Sequence, residues 1–522
     1  MKKIMYLYEN YKMPLRIVYF GFLLIAFGFL IQNENVNIFY TFTNSFLLMF
    51  SNGCLLLGKA LVVNFPLIFM LYAVCKKANS GIPIALAMMG YFTFLITTLI
   101  FAPQNLSSYA YVTYSGINTL VNLNSLTKYP LETGLIGSFI VAYITRFSFI
   151  RSRHRTSHSL LGFLHKDLAA MIYNTVLCSL AGILASYLFP IVYNFLSSTI
   201  TYISKDLNDP SRLFIYGILD RVLSILGLGN FIRSPFWNTA LGGSYQTLTG
   251  QAIVGDVNIW KYVKDSVTTY LGCGRFITPY YVINMFMAPC VYVGIYRSIS
   301  DKKEKRTIIF PFVGLIILSI ICGNPLPLEL WMLFTCPVLL FVFVLLEGSL
   351  FALLTKQGIY LGSSISASDT ITGMPGSFPD FIINIRSVMH YDTIVQIAIV
   401  GLIFGAICFL ITNLYFRHLT FNVISQEKDK KFVEEIVKAI GGYSNIQEVG
   451  SGLYRVNFTL YDNESIDFEE LSSLSLCKAS ETRDGVSIQL GSSSYIIAKM
   501  INKSLGGETN IADIIDKEDD KK

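Results

Sequence analysis

"GILDRVLSILGLGNFIRSPFW", residues 217–237, sets Asp220 beside Arg221 in a very apolar stretch, then follows with a Gly-Leu-Gly-Asn step and Pro-Phe-Trp. Charge is costly to bury in hydrocarbon, and ionisable residues at membrane depth face a cavity or a partner. What this pair faces depends on what surrounds it. The 522-residue chain is 53% hydrophobic and only 14% charged, with a mean hydropathy of +0.53. A soluble domain carries roughly 25% charged residues. Several separate segments are long enough to cross the roughly 30 Å hydrocarbon core as helices. These numbers exclude a soluble enzyme and point to a polytopic membrane protein.

Working outward, the expected spans are 14–31, 60–75, 82–102, 132–149, a long run over 168–200, 212–228, 276–297, 307–321, 331–355 and 393–416. Residues 37–58 carry Asn44, Ser51 and Asn52 and read as a partial or surface-lying helix. The stretch 60–75 contains Asn64 and Pro66, and a proline inside a span breaks a backbone hydrogen bond that a neighbour must replace. "ICGNPLPLELW", 321–331, packs two prolines and a glycine into an apolar neighbourhood. Non-helical backbone at that depth needs protein or a cavity around it, so 322–329 is a re-entrant loop candidate. The expected fold is a polytopic α-helical membrane domain of about eight to ten transmembrane helices plus re-entrant segments.

The net charge of +6 is concentrated at Lys2-Lys3, Lys76-Lys77, Arg151 to Arg155, Lys302 to Arg306 and beyond Arg417. Each cluster abuts an apolar span, as positive-inside loops do, so no nucleic-acid partner is expected. A signal peptide is not expected, because Gln32-Asn33-Glu34-Asn35 follows the first apolar run in place of a small-residue cleavage site. The nine cysteines form no C-x-x-C pair, so neither a metal nor a disulfide framework is expected, and no cofactor is.

After His418 the character changes. "DKKFVEEIVKAIGG" sets Phe432, Val433, Ile436, Val437 and Ile440 on one helical stripe with a Gly-Gly stop. "LYRVNFTLY", 453–461, alternates as a half-buried strand, and "GVSIQLG" reads as a second. "SYIIAKMINKSL" reads as a closing helix. The expected organisation is a membrane domain over 1–418, a linker over 419–430, a small soluble α/β domain over 431–505 and a disordered tail over 506–522.

The ordered motifs resemble those of bacterial phosphotransferase-system sugar permeases of the glucose/maltose/N-acetylglucosamine superfamily, a membrane IIC domain fused to a IIB domain. "NFPLIFMLYAV" (64–74), "TGLIGSFIVAYITRF" (133–147), "YGILDRVLSILGL" (216–228), "GCGRFITPYYVINMFMAP" (272–289), "CGNPLPLELWMLFTCPVL" (322–339) and "NIQEVGSGLYRV" (445–456) fall in the family's order. "IVGDVNIW", 253–260, is similar to the family's mobile Gly-Asp region. The resemblance implies a bacterial plasma-membrane location with the IIB-like domain cytoplasmic. It further implies a homodimer, phosphotransferase carrier proteins as partners, and a sugar of the glucose, maltose or amino-sugar class as substrate. Asp220 and Arg221 then border the sugar site, joined by Asn230, Glu329 and Trp237, with Arg455 on the IIB loop. Trp331 is a second aromatic near the same place.

The family's reaction, protein-phosphohistidine–sugar phosphotransfer, needs groups that this sequence lacks in the matching frame. Its phosphocysteine position is Gly452, three residues before Arg455; its His-His pair is Gly229-Asn230; its Thr-Glu-Pro glutamate is Leu326. A thiolate is the phosphate acceptor, and neither glycine nor leucine supplies a nucleophile or a base. No histidine lies between 166 and 389. The expected function is therefore a sugar-binding, sugar-translocating membrane transporter without its own phosphoryl transfer. The alternative is a non-transporting sugar sensor or regulatory partner of the phosphotransferase system.

Overall fold

A computed structural model describes residues 2–32, 44–75, 81–103, 105–106, 110–111, 129–153, 166–247, 250–263, 272–298, 302–363, 375–385, 391–421, 426–451, 455–473, 478–482, 484–490 and 494–505. Two compact units divide the chain, one over 6–412 and the other over 413–522 together with residues 1–5.

The described residues of the larger unit are almost wholly helical. In chain order it contains α1 (Lys2–Gln32), α2 (Ser45–Val63), α3 (Phe65–Cys75), α4 (Ile82–Phe101), α5 (Gly134–Arg153), α6 (Lys166–Ser204), α7 (Pro210–Ile225) and α8 (Gly229–Asn238). A small hairpin, β1 (Ser244–Gln246) and β2 (Ala252–Val254), leads into α9 (Asp256–Val263). Then come α10 (Thr278–Val282), α11 (Ala288–Ser298), α12 (Lys302–Cys322), α13 (Leu326–Thr335), α14 (Pro337–Gln357), α15 (Phe378–Ile385) and α16 (Tyr391–Phe421). Seven of the described helices are long and apolar enough to cross a bilayer: 13–32, 45–63, 82–101, 134–152, 167–204, 337–357 and 392–416. Shorter apolar helices cover 65–75, 312–322 and 326–335.

Several expectations are corrected. Residues 45–63 form one uninterrupted helix of spanning length, with Asn44 turned into a cap whose side chain accepts from the Phe46 and Leu47 N–H groups. The expected 60–75 span is broken at Asn64, whose side-chain amide bonds back to the Ala60 carbonyl. Pro66 lacks the N–H that a continuing helix would donate to the Val62 carbonyl, and it sits instead in the first turn of α3, where that N–H is not needed. Residues 331–355 are likewise two helices, divided at Cys336 because Pro337 opens a new one. The segment 276–297 is continuous but contains a π turn over Ile283–Met287 between α10 and α11. The loop expected over 322–329 is confined to 323–325; Pro327 and Glu329 lie within α13. Gly323 adopts φ +59, and a Cβ there would approach the Pro375 carbonyl to 2.8 Å.

Polar residues pin the apolar helices together. Asn174 of α6 donates to the Leu86 carbonyl of α4 at 2.6 Å and accepts from Thr145 of α5 at 3.2 Å. Around it Met70, Phe94, Leu95, Val141 and Cys178 form a continuous core. Helices α2 and α6 instead leave most of their apolar surface uncovered by protein, with Phe46, Met49, Leu184 and Phe195 exposed. That surface suits lipid.

The smaller unit is α/β. It comprises α17 (Gln426–Ala439), β3 (Ile446–Ser451), β4 (Arg455–Leu460), α18 (Phe468–Ser473), β5 (Lys478–Thr482), β6 (Gly485–Gln489) and α19 (Ser494–Ser504). The antiparallel sheet runs β3-β4-β6-β5. Helix α17 ends as its Gly-Gly stop requires: Gly441 and Gly442 both take positive φ, and the Gly442 N–H bonds to the Val437 carbonyl at 2.7 Å. Val433, Ile436, Val437 and Ile440 face Val456, Phe458, Val486 and Ile488 in one core with Ile497 and Ile501 of α19. Strands β3 and β5 and helix α18 are not among the sequence-derived elements. The tail at 506–522 and part of the 419–430 linker lie outside the described residues.

Candidate functional site

The fully buried Asp220–Arg221 pair lies at the centre of a polar cluster that includes the partly buried Arg233. Helix α7 starts at an Asp209 cap with Pro210 in its first turn and presents Asp220 and Arg221 near its end, both essentially inaccessible to solvent. Arg221 Nε donates to Asp220 Oδ2 at 2.9 Å, and a second guanidinium nitrogen contacts the same oxygen. The other end of Arg221 reaches Glu329 Oε1 on α13 at 3.3 Å. The chain then reverses through Gly227, which takes φ +80. This reversal brings Arg233 of α8 back onto the same carboxylate, where its Nε donates to Asp220 Oδ1. Arg233 also donates to Ser224 Oγ at 2.8 Å. Tyr280 of α10 completes the shell, its hydroxyl donating to Asp220 Oδ2 at 2.7 Å.

Both guanidinium groups stack on the same ring, Arg221 at 4.8 Å and Arg233 at 5.4 Å from the Tyr280 centroid. Delocalised guanidinium is suited to such stacked, partly desolvated positions. An aromatic wall encloses the cluster: Tyr216 packs edge-on to Phe236 at 5.2 Å, and Trp237 edge-on to Tyr280 at 6.1 Å. Glu347 of α14 is also fully buried and faces the cluster electrostatically. Its two carboxylate oxygens and Glu329 Oε2 carry no hydrogen bond.

Residues 12–348, more than half of the chain, match the family described as "Phosphotransferase system, EIIC". The chain belongs to the phosphotransferase-system EIIC family. It is therefore a membrane component of a sugar transport system.

Within this EIIC chain the sequence-derived residues fall into three groups. Asp220, Arg221 and Glu329 are joined by direct bonds. Trp237 borders them, with Arg233 at 5.8 Å from its ring, but the indole is fully buried among helices. Asn230 is half-buried in the first turn of α8, while the bonds to Asp220 come from Arg233, one turn further on. Trp331 lies on α13, two residues past Glu329 and half-buried.

Gly229 and Leu326 are both buried. A Cβ on Gly229 would come within 2.6 Å of Ser224 Oγ, the hydroxyl that Arg233 holds. Leu326 opens α13, its N–H bonded to the Asn324 side chain at 3.0 Å. Arg455 begins β4 on an exposed position of the separate α/β unit; Gly452 lies outside the described residues. Among the described residues no group of three or more His, Cys, Asp or Glu side chains is arranged to hold a metal.

The EIIC cluster contains four residues that sequence reasoning passed over: Ser224, Arg233, Tyr280 and Glu347. Arg233 sits inside the quoted 217–237 stretch, but only the turn at Gly227 shows that it returns to Asp220. Glu347 had the plainest signal, a lone carboxylate inside the span 337–357.

A second polar join lies at Asp256. Asp256 heads α9 and accepts from the Gly274 N–H at 2.8 Å, which ties the Gly-Asp region at 253–260 to the Gly-Arg-Phe region at 272–276. Arg275 closes this corner by donating to Asn208 at 3.1 Å. Asp256 lies between the spans, and burial pushes its carboxyl up to about 7 against the opposing pull of the Gly274 N–H and the Arg275 charge.

Proposed function

We propose that this chain binds a sugar of the glucose, maltose or amino-sugar class at the Asp220–Arg221–Arg233–Glu329 cluster and moves it across a bacterial plasma membrane without phosphorylating it itself. The observation that carries this reading is a dense set of hydroxyl-matching groups held by α7, α8, α10 and α13 in an otherwise apolar helical body. Two guanidinium forks, a tyrosine hydroxyl and a carboxylate with one unbonded oxygen offer both donors and acceptors. Such groups are expensive to bury and mark substrate pathways in membrane proteins.

The absence of self-phosphorylation is supported by what occupies the family's reactive positions. Leu326 carries no base, and Gly229 faces a serine already held by Arg233. Gly452 supplies no thiolate. The α/β unit is assigned as IIB-like and cytoplasmic on its place after the membrane domain and on the sequence frame that sets Arg455 three residues after Gly452. In that assignment it docks phosphotransferase carriers without accepting phosphate, and the membrane domains pair as homodimers.

Thermal unfolding of the purified protein with glucose, maltose and N-acetylglucosamine tests the binding step. A ligand that binds only the native state raises the transition in a concentration-dependent way. A shift for one sugar, lost in Arg221→Ala, supports transport. No shift for any of them overturns it in favour of the sensor or partner reading.

A further inference from the structure

Glu347 is not explained by sugar binding alone. It sits in the middle of α14, in a 21-residue helix suited to lipid, yet its side chain is fully enclosed and turned toward Arg221 and Glu329. Close glycine contacts place it there. A Cβ on Gly348 would meet Ile218 at 2.8 Å and the Phe214 carbonyl at 3.0 Å, so α14 and α7 approach almost backbone to backbone. The charged groups that act on it are Asp220 and Arg221 on α7, Arg233 on α8 and Glu329 on α13, and Cys408 on α16 feels its charge. The rings of Tyr216 and Tyr280 pack on Phe351 of the same helix α14. Three carboxylates thus share two guanidinium groups. Arg233 and Arg221 are bonded to Asp220, and Arg221 to Glu329. Neither oxygen of Glu347 has a partner.

An unpaired carboxylate in such a place is not sustained as an anion; it is neutralised. A metal ion needs a ligand set that the described residues do not provide. The smallest compensating cation needs no cavity. We propose that Glu347 is a proton-binding site facing Glu329 and Arg221, and that occupancy of this site by a proton is linked to occupancy of the cluster by sugar. A proton from water converts the Glu347 carboxylate to a carboxylic acid. Its departure to water restores an anion that competes with Glu329 for Arg221, the group that would hold sugar hydroxyls. The link to sugar rests on the function proposed above; the proton site does not.

Infrared difference spectroscopy of the full-length protein tests the proton directly. At neutral pH the wild type should show a carboxylic-acid C=O band that Glu347→Gln removes, that Glu347→Asp restores at altered frequency and that Glu329→Gln shifts. Glutamate labelled with carbon-13 gives a reading that needs no variant, since it separates glutamic from aspartic acids in the wild-type spectrum. Absence of any glutamic-acid band, or a band untouched by Glu347→Gln, overturns the site. Sugars from the thermal panel test the link. A sugar that raises the unfolding transition should do so with a pH dependence that Glu347→Gln abolishes; the same pH dependence in both proteins overturns the link. If no sugar raises the transition, the sugar reading falls, and the link with it, while the infrared band still decides the proton site.

Discussion

Replacing Asp220 by Asn probes the energetic centre of the membrane unit. The aspartate accepts from Arg221, Arg233 and Tyr280 at once, while fully removed from solvent. Asn is nearly isosteric and keeps one acceptor oxygen, but it leaves two buried guanidinium groups with reduced compensation. Hydrogen bonds to charged groups contribute about 1.5–3 kcal/mol each, and removing one partner from a buried ion pair costs about 3–5 kcal/mol. Because the contacts share one carboxylate, their contributions do not add, and the expected loss is about 3–5 kcal/mol. That is a large part of the roughly 5–15 kcal/mol that holds a typical protein together.

The assay is reversible unfolding in mixed detergent micelles, followed by far-UV circular dichroism. Arg233→Gln alone should also destabilise, by leaving part of the Asp220 charge unpaired. The double variant Asp220→Asn/Arg233→Gln should lose less than the two single losses summed, because it removes both ends of one interaction. Strict additivity, or an Asp220→Asn protein within about 0.5 kcal/mol of wild type, as expected of an unremarkable surface change, would refute the network.

Three further outcomes follow from other parts of the molecule. Gly229→Ala drives a methyl group into Ser224 Oγ and should cost about 1–3 kcal/mol in the same titration, without loss of helix content before the transition. Asp256, pushed up to about 7, binds a proton in the native state that the unfolded chain, with an ordinary value near about 4, has already released. Its contribution is therefore fully present at low pH and is lost as pH rises through that window, and Asp256→Asn should flatten the slope in pH-dependent melting. Phe458→Ala opens a cavity in the core of the α/β unit, where this β4 ring is buried in one cluster with residues of α17 and α19. It should cost that unit about 3–5 kcal/mol, read as faster protease cleavage beyond residue 413 with the membrane unit unaffected.

The sequence made the apolar spans legible because hydrocarbon thickness imposes a length and a composition that no tertiary contact needs to supply. Asp220 and Arg221 stood out on the same ground. What it left hidden depends on where the chain turns. Arg233 meets Asp220 only because Gly227 reverses the backbone, and Tyr280 arrives from sixty residues away. Glu347 was open to the argument applied to Asp220, since it is a carboxylate in a span of mean hydropathy 2.4. In the α/β unit, β4 alternated cleanly as exposed Arg455 and Asn457 against buried Val456, Phe458 and Leu460. Strand β5, "KASET", offers no apolar alternation, and it is held as the edge partner of β6.

The central claim is that the buried cluster binds a sugar which then crosses unmodified. Uptake of radiolabelled glucose, maltose or N-acetylglucosamine into proteoliposomes, with the internal label identified as sugar or sugar phosphate, tests it most directly. The account predicts saturable entry of the unmodified sugar, abolished by Arg221→Ala and Glu329→Gln, and unchanged by added phosphoryl donor and carrier proteins. Internal sugar phosphate formed by this chain alone with those carriers, or no entry of any of the three sugars, would contradict it.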